Sequence, residues 1–96
     1  MWEILVPTEM QGTEIVVGYH RQWDKKIRKI TKGLTIYRSG IGEWIDPEGT
    51  LYRERVIPVR VSCDQNQIQE IIDITKEHYQ QKIVCAYRVS NFVIMR

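Results

Sequence analysis

Ile57-Pro58-Val59-Arg60-Val61-Ser62-Cys63-Asp64-Gln65-Asn66-Gln67-Ile68-Gln69-Glu70-Ile71-Ile72 changes its apolar period in mid-run, and that change decides the fold. Up to Cys63, the apolar residues Ile57, Val59, Val61 and Cys63 recur at every second position, the period of a pleated strand. Val56, Pro58, Arg60 and Ser62 then occupy its opposite face. Beyond Asp64 the spacing becomes helical: Ile68, Ile71, Ile72, Thr75 and Tyr79 form one stripe, with Ile74 and His78 on its margin. Asp64 followed by Gln67 has the form of a capping box. The run therefore predicts a long strand from Leu51 to about Ser62 and a helix from Asp64 to about Gln81.

Upstream, Asp46-Pro47-Glu48-Gly49 is a strong turn signal, because proline presets one backbone angle and glycine accepts an unusual one. It joins the long strand to Ile41–Ile45, which follows a turn at Ser39-Gly40 and a strand from Leu34 to Arg38. Tyr19, Trp23, Ile27 and Ile30 fall within roughly 80° on a helical wheel, opposite Arg21, Lys25, Arg28 and Lys29. That predicts an amphipathic helix over 19–31 with a basic outer face, stopped by Gly33. Trp2 to Val6 alternates as a first strand ended by Pro7; residues 8–13 form a polar loop, and Glu14 to Val17 are unassigned.

Downstream, Ile83 to Val89 is a strand expected to turn Ile83, Cys85, Tyr87 and Val89 to the core, with a final short strand at Phe92 to Met95. The order strand, helix, strand, inserted hairpin, long strand, helix, strand is the split βαβ arrangement of an α+β, ferredoxin-like sandwich with an extended middle hairpin. Right-handed crossovers put both helices on one face of an antiparallel sheet. The first and the long strand are central, with the last beside the first. Without repeats, low-complexity tracts or linkers, residues 1–96 read as one domain.

Gly33-Leu34-Thr35-Ile36, Gly42-Glu43-Trp44, Asp46-Pro47-Glu48-Gly49-Thr50-Leu51 and Glu54 resemble the signature of a family of small bacterial α+β domains of unknown function. The resemblance covers about a third of the chain. It implies an α+β fold and transfers no catalytic residue.

With 43% hydrophobic and 27% charged residues the chain is globular rather than disordered, and at 96 residues its core is small enough that oligomerisation is an expected supplement. A formal charge of +2 does not by itself call for nucleic acid. The start Met-Trp-Glu-Ile-Leu-Val-Pro has neither the basic leader nor the apolar run of a signal peptide, and no stretch is long enough to span a membrane. The expected compartment is cytoplasmic. Cys63 and Cys85 sit in apolar, strand-like surroundings and are read as buried free thiols. Two histidines and two cysteines with no metal-ligand spacing give no metal site, and no cofactor motif is present.

The sheet face away from the helices is the first candidate surface. The expected phase places Thr35, Tyr37, Glu3, Leu5, Val56, Pro58, Arg60, Val84, Ala86 and Arg88 there, a mixture too apolar to stay uncovered. Arg60 and Arg88 can grip a phosphate or carboxylate, or join Glu3 in a cross-strand charge cluster inside a homo-oligomer interface. RNA also binds open sheets through aromatics, but Tyr37 is the only well-placed one, which argues against nucleic acid. The middle hairpin is the second candidate. Arg38, Arg53 and Arg55, with Trp44, Tyr52 and Glu54, form the wall of a pocket for a planar anion, or Trp44 plugs the core and the arginines protect an edge.

His20 and Asp24, four apart on the first helix, and His78 near the end of the second are weak candidates for acid–base chemistry, because no nucleophile accompanies them. The leading reading is a non-enzymatic, homo-oligomeric binding protein. It holds an anionic small molecule, nucleotide-like or an organic acid, or an acidic protein partner, near arginine-bearing strands; a phage or host-defence module is one setting. The alternative is a small enzyme of the dimeric α+β barrel type with a histidine general base in a pocket beneath the sheet.

Overall fold

In the computed structural model, residues 1–90 are described. Asp64 sets the junction that the sequence marks: its carboxylate accepts from the Gln67 backbone N–H at 2.8 Å, and the Gln67 side chain accepts from the Asp64 N–H at 3.0 Å. This reciprocal cap separates strand β6 (Leu51–Val61) from helix α2 (Gln65–Tyr79). α2 ends where Gln80 turns left-handed at φ 54°.

The remaining elements are β1 (Trp2–Pro7), a small hairpin β2 (Glu9–Met10) and β3 (Thr13–Glu14), helix α1 (Val17–Arg28), β4 (Leu34–Ile36), β5 (Gly40–Ile45) and β7 (Ala86–Arg88). The strand order is β4-β6-β1-β7, all antiparallel, with β5 pairing the outer half of β6. Both helices pack on one face of this sheet. It is the α+β, ferredoxin-like arrangement with an extended middle hairpin.

The core forms between that face and the helices: Ile4 and Val6 from β1, Val59 and Val61 from β6, Trp23 and Ile27 from α1, Ile68, Ile71 and Tyr79 from α2. Each apolar set is the one its period selects. The Trp23 indole N–H donates to Thr75 Oγ1 at 3.0 Å, and Thr75 in turn donates to the Ile71 carbonyl oxygen at 2.6 Å, so these polar atoms are satisfied inside the core.

Several boundaries differ from expectation. α1 begins two residues earlier and ends at Arg28, capped by Lys29 in ordinary helical conformation. Gly33 is therefore not its stop. The segment read as a polar loop folds into the β2–β3 hairpin, whose turn uses positive φ at Gln11 and Gly12; of the unassigned residues, Glu14 ends β3 and Val17 opens α1. The proposed strand over 92–95 lies outside the described residues.

The phase of the last strand is reversed. Glu3 pairs with Tyr87 and Ile4 with Ala86, so Ala86, together with Val84, packs on the core. Cys85, Tyr87 and Val89 are exposed, and Ile83 is 83% exposed. Cys85 is thus not a buried thiol, whereas Cys63 is half-buried and burial pushes its thiol up. Among the described residues, no helix is long and apolar enough to cross a membrane.

Candidate functional site

The arm made by β5 and the outer half of β6 owes its shape to the turn at its tip. Asp46 accepts at its carboxylate from the Thr50 N–H at 2.8 Å and at its carbonyl oxygen from the Gly49 N–H at 2.9 Å; Gly49 supplies φ 84°. This fixes the register Ile45↔Leu51, Trp44↔Tyr52, Glu43↔Arg53, Gly42↔Glu54 and Ile41↔Arg55. Trp44 and Tyr52 consequently share one face, and Arg53 and Arg55 the other. The wall expected to combine all four is split by the pleat. Trp44, 40% exposed, lies against Gly42 and does not plug the core.

β1 ends at Pro7, opposite Val56, so Arg55, Glu54 and Arg53 run on along an edge of β6 that β1 no longer covers. Thr8 and Glu9 turn away there, and Gln81 arrives from beyond the end of α2. Together these residues enclose a polar cleft of about 280 Å³ lined by Pro7, Thr8, Glu9, Arg53, Glu54, Arg55 and Gln81. Thr8 Oγ1 donates to the Arg55 carbonyl oxygen at 3.1 Å, tying the cleft's two sides together. Arg55 donates from Nη1 to Ser39 Oγ at 3.3 Å.

Among the described residues, neither Arg53 nor Arg55 has a carboxylate within ion-pair distance, although Glu9 and Glu54 line the same cleft. Burial pushes the Glu54 carboxyl up. Thr8, Glu9 and Gln81 went unrecognised from the sequence because they fall in segments without periodicity.

The other predicted residues fall elsewhere. Arg38 is exposed between β4 and β5. Arg60 lies on the open face, where its Nε donates to the buried Glu3 carboxylate at 3.1 Å and its guanidinium sits 5.2 Å from the Tyr37 ring centre. Arg88, paired with Trp2, is on the helix side and stacks 5.4 Å from that indole. The expected cluster of Arg60, Arg88 and Glu3 is therefore a pair, and Tyr87, opposite Glu3, takes the place expected of Arg88. Val56 is buried between its ladder partners Pro7 and Gly40.

His20, Asp24 and His78 do not assemble as a catalytic group. His20 Nδ1 meets the Tyr79 hydroxyl at 2.7 Å rather than Asp24. His78, 5% exposed, is wedged between the helices: Nε2 donates to the Tyr19 carbonyl oxygen at 2.8 Å and Nδ1 accepts from Lys26 Nζ at 3.1 Å. The Tyr19 hydroxyl donates to the His78 carbonyl oxygen. Among the described residues, neither imidazole hydrogen-bonds a serine or cysteine.

No protein-family model matches the sequence, and no curated protein does. Among solved structures the chain is similar to the periplasmic divalent cation tolerance protein CutA from Archaeoglobus fulgidus, with a TM-score of 0.59 and 14% identity over 96% of this chain and 84% of that one. It is also similar to the divalent cation tolerance protein Cut A1 from Thermus thermophilus, with a TM-score of 0.66 and 10% identity over 96% of this chain and 84% of that one. At these identities the likeness is one of fold.

Proposed function

We propose that the chain is a non-enzymatic binding protein, assembled as a homo-oligomer, that holds a small anion, nucleotide-like or an organic acid, in the cleft at the base of the arm. The observation that carries this reading is that two arginines, Arg53 and Arg55, line one polar cleft and neither has a carboxylate at pairing distance among the described residues. Forked guanidiniums two residues apart on one strand face are suited to a phosphate or carboxylate.

The names of the structural neighbours concern divalent cations. Among the described residues, no group of three His, Cys, Asp or Glu side chains could hold a metal ion. An anion is the ligand that the arginine cleft suits.

Self-association is supported by the arm, a two-stranded ribbon that buries little of its own surface. Ile41, Trp44, Ile45, Leu51 and Tyr52 are 40–68% exposed along it. Isolated hairpins are marginal in water, and so large an apolar surface calls for a cover. The open sheet face beside it carries the half-buried Leu5 and Pro58. A second copy of this chain suits both.

Size-exclusion chromatography with light scattering tests the assembly, and a thermal-shift screen of nucleotides and organic acids tests the ligand. A strict monomer stabilised by none of them overturns the proposal.

A further inference from the structure

A second cleft, unrelated to the arginine edge, opens between α1 and the sheet. It measures about 240 Å³ and is lined by Val6, Ile57 and Val59 from the sheet, Ile36 from β4, Val17, His20, Arg21, Trp23 and Asp24 from α1, and Tyr79 from α2. All of its polar groups except the Tyr79 hydroxyl stand on one wall, α1. At ~30 Å³ of liquid volume per water this is room for roughly eight waters, below the ~300–1,000 Å³ of sites for drug-sized molecules. A single ring with a short tail is the size that fits.

The polar wall has a defined hydrogen-bonding state. Tyr79 is 2% exposed, and the partner of its hydroxyl is His20 Nδ1 at 2.7 Å. A buried phenol proton needs an acceptor, so Tyr79 donates to Nδ1. The ring proton of neutral His20 is therefore on Nε2, which has no partner among the described residues. Burial pushes the Tyr79 phenol up and pulls His20 down, which agrees with both being uncharged.

Charge in the lining comes from Arg21 and Asp24, which offset each other with His20 neutral; Arg28, outside the lining, acts on the Asp24 carboxylate. The helix thus offers an N–H donor and the Arg21 guanidinium at the mouth of an apolar recess.

We infer that this cleft is a binding site for a small apolar monocarboxylate, its ring or branched chain against Val6, Ile57, Val59 and Trp23 and its carboxylate on His20 Nε2–H and Arg21. Asp24 sets the selectivity of the mouth: Arg28 offsets it from outside the lining, which leaves Arg21 for an anion and makes Asp24 an insufficient anchor for an amine.

Phenylacetate is a suitable probe, with phenylacetamide and phenethylamine as neutral and cationic isosteres. Titration followed by amide and indole NMR shifts is expected to give saturable binding centred on the first half of α1 and the Trp23 indole. The carboxylate is expected to bind about tenfold tighter than either isostere, the scale of a hydrogen bond to a charged group. Arg21→Gln, a surface change that leaves the core intact, is expected to weaken phenylacetate about tenfold and to leave phenylacetamide unchanged. Arg53→Gln/Arg55→Gln should have no effect on this titration, which separates it from the anion site at the arm. Equal affinity for the three probes, shifts that map to the arm, or no saturation with the wild-type protein each overturns the inference.

Discussion

His78 donates from Nε2 to the backbone carbonyl oxygen of Tyr19 at 2.8 Å, and this bond fixes the charge state of the imidazole. A carbonyl can only accept, and Lys26 Nζ approaches the other ring nitrogen as a donor, so His78 is neutral with its proton on Nε2. Stacked on Tyr19 with ring centres 4.2 Å apart, it latches α1 to α2.

The latch makes stability depend on pH. Burial pulls both His78 and His20 below the ordinary histidine value of 6.5; for His78, Lys26 adds to the effect and the Tyr19 bond opposes it. A lowered folded-state value means that the unfolded chain takes up protons first, so stability is complete above about pH 6.5 and falls as the pH drops toward the folded-state values. Burial raises Asp24, which acts in the opposite direction and nearer to pH ~4. Urea midpoints measured between pH 7.5 and 5 should decline, and His78→Gln should flatten the decline. Equal midpoints across that range would remove the latch.

Trp23 and Thr75 test the buried polar link of the core. Thr75→Val keeps the shape of a fully buried side chain but leaves the indole N–H without its acceptor. The expected loss is about 1–3 kcal/mol in denaturant unfolding. A loss below experimental error would mean that the indole finds another partner.

Glu3 and Arg60 are a pair of unequal exposure, with side chains 9% and 41% accessible. Because Arg60 is well solvated, Arg60→Met is expected to cost only about 1 kcal/mol. Glu3→Gln/Arg60→Met should recover most of that, since no uncompensated carboxylate remains buried. A thermodynamic cycle with no coupling would show that the pair is incidental.

Gly42 and Trp44 link the arm to assembly. A β-carbon at Gly42 would stand 2.7 Å from Trp44 Cζ3, so Gly42→Ala must swing the ring out of place. The tryptophan emission should change while thermal stability of the domain shifts little. If the aromatic face is part of the interface, self-association weakens about tenfold, the scale of one interface anchor. Light scattering against concentration measures it, and unchanged association excludes Trp44 from the interface.

The fold was legible wherever one phase was clearly more apolar than the other. Ile57, Val59 and Val61 against Pro58 and Arg60 leave no choice, and the Asp64–Gln67 box marks a helix start by local chemistry alone. Residues 83–89 have apolar side chains in both phases, so only the ladder with β1, which pairs Glu3 with Tyr87, could select one. That one-residue slip moved Arg88 across the sheet.

The candidate site was legible in part. Arg53 and Arg55 alternate along a strand, and their separation from Trp44 and Tyr52 follows from the register that the 46–49 turn imposes. The opposite wall comes from Thr8 and Glu9, far upstream, and Gln81, far downstream, residues that no local period connects to the arm.

The cleft carrying Arg53 and Arg55 is proposed to hold an anion. Titration calorimetry at constant ionic strength, with pyrophosphate, citrate and ATP against the wild-type protein and Arg53→Gln/Arg55→Gln, tests it most directly. Saturable binding of at least one of these anions by the wild type, and a loss of about tenfold or more in the double variant, are expected. No saturable binding of any of the three, or binding that the double variant leaves unchanged, would contradict it.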